Sequence, residues 1–199
     1  MRTRVAGLLL AAGGGSRLGR PKALVTIAGQ SLADRGIALL RAGGAAPVVV
    51  VTGAAMIEPP GALAVHNPDW RSGMGSSLVT GLTALPGTVS AAVIALADQP
   101  LIGPEAVRRL IAAHAGGAEV AVAAYHGQPR NPVLIARVHW PELIASSAGD
   151  TGARPFLRSH RELVTLVECG DTGSPDDVDT PEDLIRISRA AEGRQQPRR

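Results

Sequence analysis

The sequence predicts a single three-layer α/β/α sandwich built on a mostly parallel mixed sheet, Rossmann-like in its alternation of elements. Three observations point there. Short apolar runs are continuous rather than alternating, as in strands covered on both faces. Segments with helical spacing lie between them, so strand and helix take turns along the chain. The length of 199 residues suits one compact unit, at about 100 to 200 residues per domain. Residues 1–190 are read as that unit and 191–199 as a disordered basic tail.

The elements follow in order. Val5 to Ala11 is the first buried strand. Ser31 and Asp34 form a capping pair for a helix in which Leu32, Gly36, Leu39, Leu40 and Gly43 keep helical spacing. Pro47 to Thr52 and Leu63 to Val65 read as strands. Met74, Leu78, Leu82 and Leu85 trace a second helix, and Ala91 to Ala97 another buried strand. Pro104 and Glu105 start a third helix through Val107, Leu110, Ile111 and His114. Glu119 to Ala124 and Pro132 to Ala136 complete the apolar runs. The least periodic stretch, Trp140 to Arg161, is expected to form a cap or flap over a site. Thr180, Pro181 and Asp183 make a further helix start. In such a sandwich, ligands sit beyond the carboxyl ends of the strands.

Composition removes several function classes. Cys169 is the single cysteine, which excludes a disulfide framework and any CxxC metal or redox site. The aromatic residues are Trp70, Tyr125, Trp140 and Phe156, too few for a base-stacking platform. The net charge is +3, but the tail concentrates Arg194, Arg198 and Arg199 against Glu192, leaving a near-neutral body without a nucleic-acid groove. Arg2 and Arg4 before the run from Val5 have the outline of a secretory signal. The run is short and is better explained as a strand entering a loop, so a cytoplasmic protein is expected. No stretch reaches the roughly 18 apolar residues of a membrane span.

The first strand runs into Ala12-Gly13-Gly14-Gly15-Ser16-Arg17-Leu18-Gly19-Arg20-Pro21-Lys22. Glycines let backbone amides approach a phosphate chain, and Arg17 and Lys22 add positive charge. The P-loop spacing fails because Arg20 follows Gly19, and the dinucleotide spacing fails because Leu18 stands where its third glycine belongs. Lys22 is the only lysine beside nineteen arginines. That suggests a compact ammonium is needed at this position, a common phosphate ligand, although an arginine-biased chain gives the same count by chance. Asp98, with Gln99 and Pro100, ends the strand from Ala91 and places a carboxylate at the crest of the sheet. Beside a phosphate loop it suits a metal ligand, and a turn aspartate capping backbone amides is the alternative. Asp177 and Asp179 share a face if their segment is extended, so both could meet one cation, with a solvated acidic loop as the other reading.

These residues carry a family resemblance. Leu10-Ala11-Ala12-Gly13 followed by Arg17, Gly19 and Lys22 resembles the LAAGxxxRxGxxK signature of GT-A-like nucleotidyltransferases. The segment from Asn67 through Trp70, Gly73, Met74, Ser77 and Leu78 to Gly81 and Leu82 is similar to NPxWxxGMxxSLxxGL of the molybdenum cofactor cytidylyltransferases. Gly149 to Arg154 matches that family's GDxGAR, and Asp177 to Leu184 resembles its DIDTPEDL. Asn131 stands before Pro132 where the family more often has histidine.

The resemblance implies a GT-A-like fold and a nucleotide held by Leu10, Ala11, Ala12, Gly13, Gly14, Arg17, Lys22, Gly73, Ser77 and Asp98. It implies Mg²⁺ on Asp98, with Asp179 as second contact, and catalysis by Arg17, Lys22 and Asp98. Arg130, Asn131, Asp150 and Arg154 would hold the acceptor. Arg154 suits a bidentate phosphate contact as well as a surface salt bridge. The implied donor is CTP, preferred over GTP because Ala12 gives the LAAG rather than the LAGG form. The implied acceptor is molybdopterin carrying molybdenum, and the implied partner a molybdenum hydroxylase client. The residues alone reach only a nucleoside triphosphate and a phosphorylated acceptor. A phosphate monoester, with second pKa about 6, is largely ionised at neutral pH, so nucleotidyl transfer demands no general base. A transferase with GTP or a sugar or alcohol phosphate, a non-catalytic nucleotide-binding module, and a cofactor-delivery chaperone are the rival readings.

Overall fold

The computed structural model describes residues 4–195; Arg2 of the signal-like start and Arg198 and Arg199 of the tail lie outside the described residues. Seven strands form one sheet in the order β5-β4-β1-β6-β8-β7-β9. They are β1 Val5–Leu10, β4 Val48–Thr52, β5 Leu63–His66, β6 Ala91–Leu96, β7 Val120–Tyr125, β8 Gln128–Ala136 and β9 Val164–Glu168. A two-stranded ribbon, β2 Thr26–Ile27 and β3 Gln30–Ser31, stands apart. β1, β4, β5 and β6 are parallel, β8 is antiparallel to both β6 and β7, and β9 is parallel to β7. The mostly parallel mixed sheet is therefore as the sequence implies.

β8 reverses because the two-residue link His126-Gly127 has positive φ at both positions, 53° and 73°. That is the backbone twist a tight hairpin requires. The hairpin also starts β8 at Gln128, four residues before the apolar run that marks it in the sequence. β9 carries no continuous apolar run, because it is an edge strand with Thr165, Leu166 and Glu168 exposed.

Helices α1 Leu32–Ala42 and α3 Pro104–Ala115 cover one face of the sheet. On the other lie α2 Met74–Ala84, α4 Trp140–Ser146 and α5 Arg154–Ser159. Ser31 caps α1 as expected, its hydroxyl accepting from the Asp34 amide at 3.0 Å. Two glycines let helices sit close to the sheet. A Cβ on Gly36 would lie 2.5 Å from Leu9 Cδ1, and one on Gly81 2.4 Å from Leu8 Cδ1, distances real atoms do not share.

The segment Trp140 to Arg161 corrects the sequence reading in part, since Asp150, Arg154, Leu157, Arg158 and Arg161 do line cavities over the sheet. Trp140, Leu143 and Phe156 are buried in the α2-side core, so α4 and α5 belong to the helical layer and are not a flap. Only the turn around Gly149–Thr151 reaches toward the start of α2. A third, small core joins Val25, Ile27, Leu32, Leu101, Val178 and Ile187. It anchors α6 Pro181–Gln195, which is capped by Thr180 and Asp183 as the sequence indicates. α6 continues past Ala190, so residues 191–195 are helical rather than part of a disordered tail.

Candidate active site

The glycine loop folds back on its own start. Gly15 has φ 60°, and a Cβ there would lie 2.1 Å from the Arg20 carbonyl, so the turn excludes any side chain. The Leu18 amide bonds the Gly15 carbonyl at 2.9 Å, and the Lys22 amide the Gly13 carbonyl at 3.1 Å. Lys22 thereby returns over the end of β1. The buried Ala23 beside it holds the turn Lys22–Leu24 in place.

Two carboxylates meet the returning lysine. The Ala97 amide bonds the Leu10 carbonyl at 3.1 Å, so β6 ends level with β1 and presents Asp98 next to the loop. The Val178 amide donates to the Asp98 carbonyl at 2.8 Å. Val178 is fully buried in the small core, and this stitch brings Asp179 alongside. Lys22 Nζ donates to Asp98 Oδ2 at 2.7 Å and also to Asp179 Oδ1. Burial opposes the ammonium charge, but the two carboxylates outweigh it and raise the Lys22 pKa above its ordinary value. Asp98 Oδ1 is buried and has no hydrogen-bond partner among the described residues. A buried carboxylate oxygen left so is costly unless a ligand completes it.

Asp177 departs from the shared-cation expectation. Its Oδ1 accepts from Gln99 Nε2 at 2.8 Å, and that amide also donates to the Pro175 carbonyl at 3.1 Å. Desolvation, then the nearby Asp98 charge, raises the Asp177 pKa. Asp179 turns to Lys22 and Asp177 to a neighbouring cavity.

The opposite wall is built by the lead into α2. Asn67 is buried, and its Oδ1 accepts from the Asp69 amide at 3.0 Å, which fixes the orientation of the side-chain amide. Its Nδ2 then donates to Ser76 Oγ at 2.9 Å and Ser77 Oγ at 3.0 Å. Ser76 passes its own proton to a carbonyl, Gly73 or Asp69. Ser77 has no acceptor for its proton among the described residues, so its hydroxyl is an available donor facing the cavity. Trp70 is a site residue that motif reading quoted without a role. It packs so closely on Gly14 and Gly53 that a Cβ on either would lie within 3 Å of its side chain, and Arg71 stacks on its ring at 4.5 Å.

Two adjoining cavities result. The first, about 570 Å³, is lined by Leu10, Ala11, Ala12, Gly13, Gly14, Lys22, Gly73, Ser77 and Asp98, with Trp70, Met74 and Asp150. The second, about 910 Å³, includes Arg130, Asn131 and Arg154, and shares Leu96 with the first. Asp150 lines the first cavity rather than the second, because the turn at Gly149 packs against Gly73. Arg17 is exposed in the turn between Gly15 and Gly19 and lines neither cavity.

The first cavity thus lies over the carboxyl ends of parallel strands, walled by the glycine loop and bordered by the Lys22, Asp98 and Asp179 cluster. Residues 7–164 match the MobA-like NTP transferase domain, and the chain belongs to that family. Nicotine blue oxidoreductase from Paenarthrobacter nicotinovorans is 39% identical over 199 aligned residues, covering 92% of this chain and 96% of that protein. The crystal structure of a Mycobacterium tuberculosis Rv0371c homologue from Mycobacterium sp. strain JC1 matches with TM-score 0.86 at 32% identity, covering 98% of this chain and all of that one. Rv0371c of M. tuberculosis in complex with manganese matches with TM-score 0.77 at 27% identity, covering 95% of this chain and all of that one.

Proposed function

We propose that the protein transfers CMP from CTP to the phosphate of molybdenum-bearing molybdopterin, releasing pyrophosphate and forming the cytosine dinucleotide. The observation that carries nucleotidyl transfer is the Lys22 ammonium held between Asp98 and Asp179 with Asp98 Oδ1 left unpartnered. Two carboxylates that already bracket a cation, one with a spare buried oxygen, suit a divalent ion. Asp98 and Asp179 would hold it, and Mg²⁺ fits the all-oxygen donors, with substrate phosphates completing its shell. The manganese complex of Rv0371c supports use of a divalent ion. When bound, the ion neutralises charge on the phosphates.

The chain's own residues do the rest. The amides of Ala12 to Gly14 face the triphosphate. Lys22, exchanged from its carboxylates, offsets charge on the departing pyrophosphate, with Arg17 moving in from the exposed turn. Ser77 and Gly73 contact the cytosine, and Ser77 donates to one of its acceptor atoms. An acceptor phosphate oxygen attacks the α-phosphorus, the bond to the β-phosphate bridging oxygen breaks, and positioning supplies most of the rate.

A second reading rests on the name of the Paenarthrobacter relative, an oxidoreductase. It requires an electron donor, and the loop lacks the dinucleotide spacing, which favours transfer. The test is pyrophosphate release from CTP, GTP, ATP and UTP with molybdenum-loaded molybdopterin, run beside reduction of nicotine blue by reduced nicotinamide or flavin. Release confined to CTP supports the proposal. Release confined to GTP, or dye reduction without release from any nucleotide, overturns it.

A further inference from the structure

The second cavity is lined by more positive charge than one reacting phosphate needs. Besides Arg130 and Arg154, Arg158 and Arg161 line it, two residues that no motif singled out. Arg154, Leu157 and Arg158 share one face of α5, and Arg161, in the separate turn that follows His160, lines the same cavity. Facing them is an apolar floor from the sheet, with Leu96 of β6, Val122 of β7, Val133 of β8 and Leu166 of β9.

Three arginines outside this cavity show how the chain pairs guanidinium with acid, while Arg17 and Arg71 among others have no carboxylate partner among the described residues. Arg109 grips both oxygens of Asp171 at 2.6 and 2.7 Å, Arg186 bonds Asp176 and Asp183, and Arg108 bonds Glu105. None of the cavity's four arginines has a carboxylate partner among the described residues, although Glu162 adjoins Arg161 in sequence. The one carboxylate lining the cavity, Asp177, is bonded to Gln99. Unpaired guanidinium groups over an apolar floor match a ligand with an apolar or planar body and anionic groups.

Sheet order gives this charge a position. β6, which ends at the reacting centre, and β9, which follows directly from the turn carrying Arg161, are separated by β8 and β7. Three strand spacings make roughly 14 Å, so the arginines nearest β9 stand well away from Asp98. We infer that Arg158 and Arg161 form a second anion subsite, specific for an acceptor that carries another anionic group remote from the phosphate that reacts. This inference rests on the second cavity being the acceptor side of the transferase, but its test does not depend on turnover.

The test is calorimetric titration at fixed ionic strength of wild type and of Arg158→Gln/Arg161→Gln with glucose 1-phosphate and glucose 1,6-bisphosphate. These probes share a body and differ in one phosphate. Wild type is expected to bind the bisphosphate about tenfold tighter, the scale of one or two charge-assisted hydrogen bonds. The double variant is expected to lose that preference while keeping its CTP affinity, since neither residue lines the nucleotide cavity. Equal binding of both probes by wild type, no binding of either at millimolar concentration, or a preference that survives the double substitution overturns the subsite. If the preference is present but no nucleotide yields pyrophosphate with any acceptor, the transfer reading fails and the subsite stands.

Discussion

The two cavities sit side by side over one sheet yet handle charge in opposite ways. In the first, cation and carboxylates are paired with one another, with Asp98 Oδ1 left open: Lys22 holds Asp98 and Asp179, and Asn67 fixes Ser76 and Ser77. In the second, four arginines stand without carboxylate partners among the described residues. A self-paired cluster must exchange partners when a ligand enters, whereas an unpaired wall only has to lose water. The first arrangement therefore suits chemistry that takes place once nucleotide and metal have both arrived, and the second suits capture.

The sharpest way to break this contrast is Asp98→Asn. Removing the charge should lower turnover on the order of 10² to 10³-fold, while CTP binding in chelator stays within a few-fold of wild type by calorimetry. Unchanged turnover would remove Asp98 from the reaction. Lys22→Arg keeps the charge but puts a wide planar fork where a point charge lies between two carboxylates. Turnover should fall on the order of tenfold or more, and wild-type kinetics would show that any cation serves. Beneath the first cavity, Gly81→Val should overpack against Leu8 and lower stability by about 1 to 3 kcal/mol in urea unfolding, with the second cavity's anion binding retained. The smallest effect belongs to Ser77→Ala. Loss of one donor should raise KM for CTP several-fold, about 1 kcal/mol, with kcat nearly unchanged. A fall in kcat alone would move Ser77 away from the nucleotide's binding contacts.

The sequence makes the first cavity far more legible than the second. Its walls come from contiguous strings, Leu10 to Gly14 and Asn67 to Ser77, whose glycines and caps have few other uses. Asp98 is visible because an unbroken apolar strand ends on it. Asp179 is harder to place from sequence, since its position depends on a backbone bond from Val178 to Asp98 and on Val178 burial, neither of which leaves a local pattern. The positions of Asp150 and Asp177 are hidden for the same reason: a turn packed on Gly73 and an amide from Gln99, both contacts between distant segments, set them. The second cavity depends on β9, an edge strand without an apolar run, and on arginines that look like ordinary surface charge until the sheet order gathers them. Trp70 lay in plain view within its motif, and the signal for its role is the pair Gly14 and Gly53, which only the structure sets against its ring.

A crystal structure with CTP and manganese tests the account most directly, because the anomalous signal locates the ion without reference to activity. The account predicts manganese between the Asp98 and Asp179 carboxylates, in contact with Asp98 Oδ1, and the Lys22 ammonium turned onto the phosphates. Manganese elsewhere, or Lys22 still bridging both carboxylates with the nucleotide bound, would contradict it.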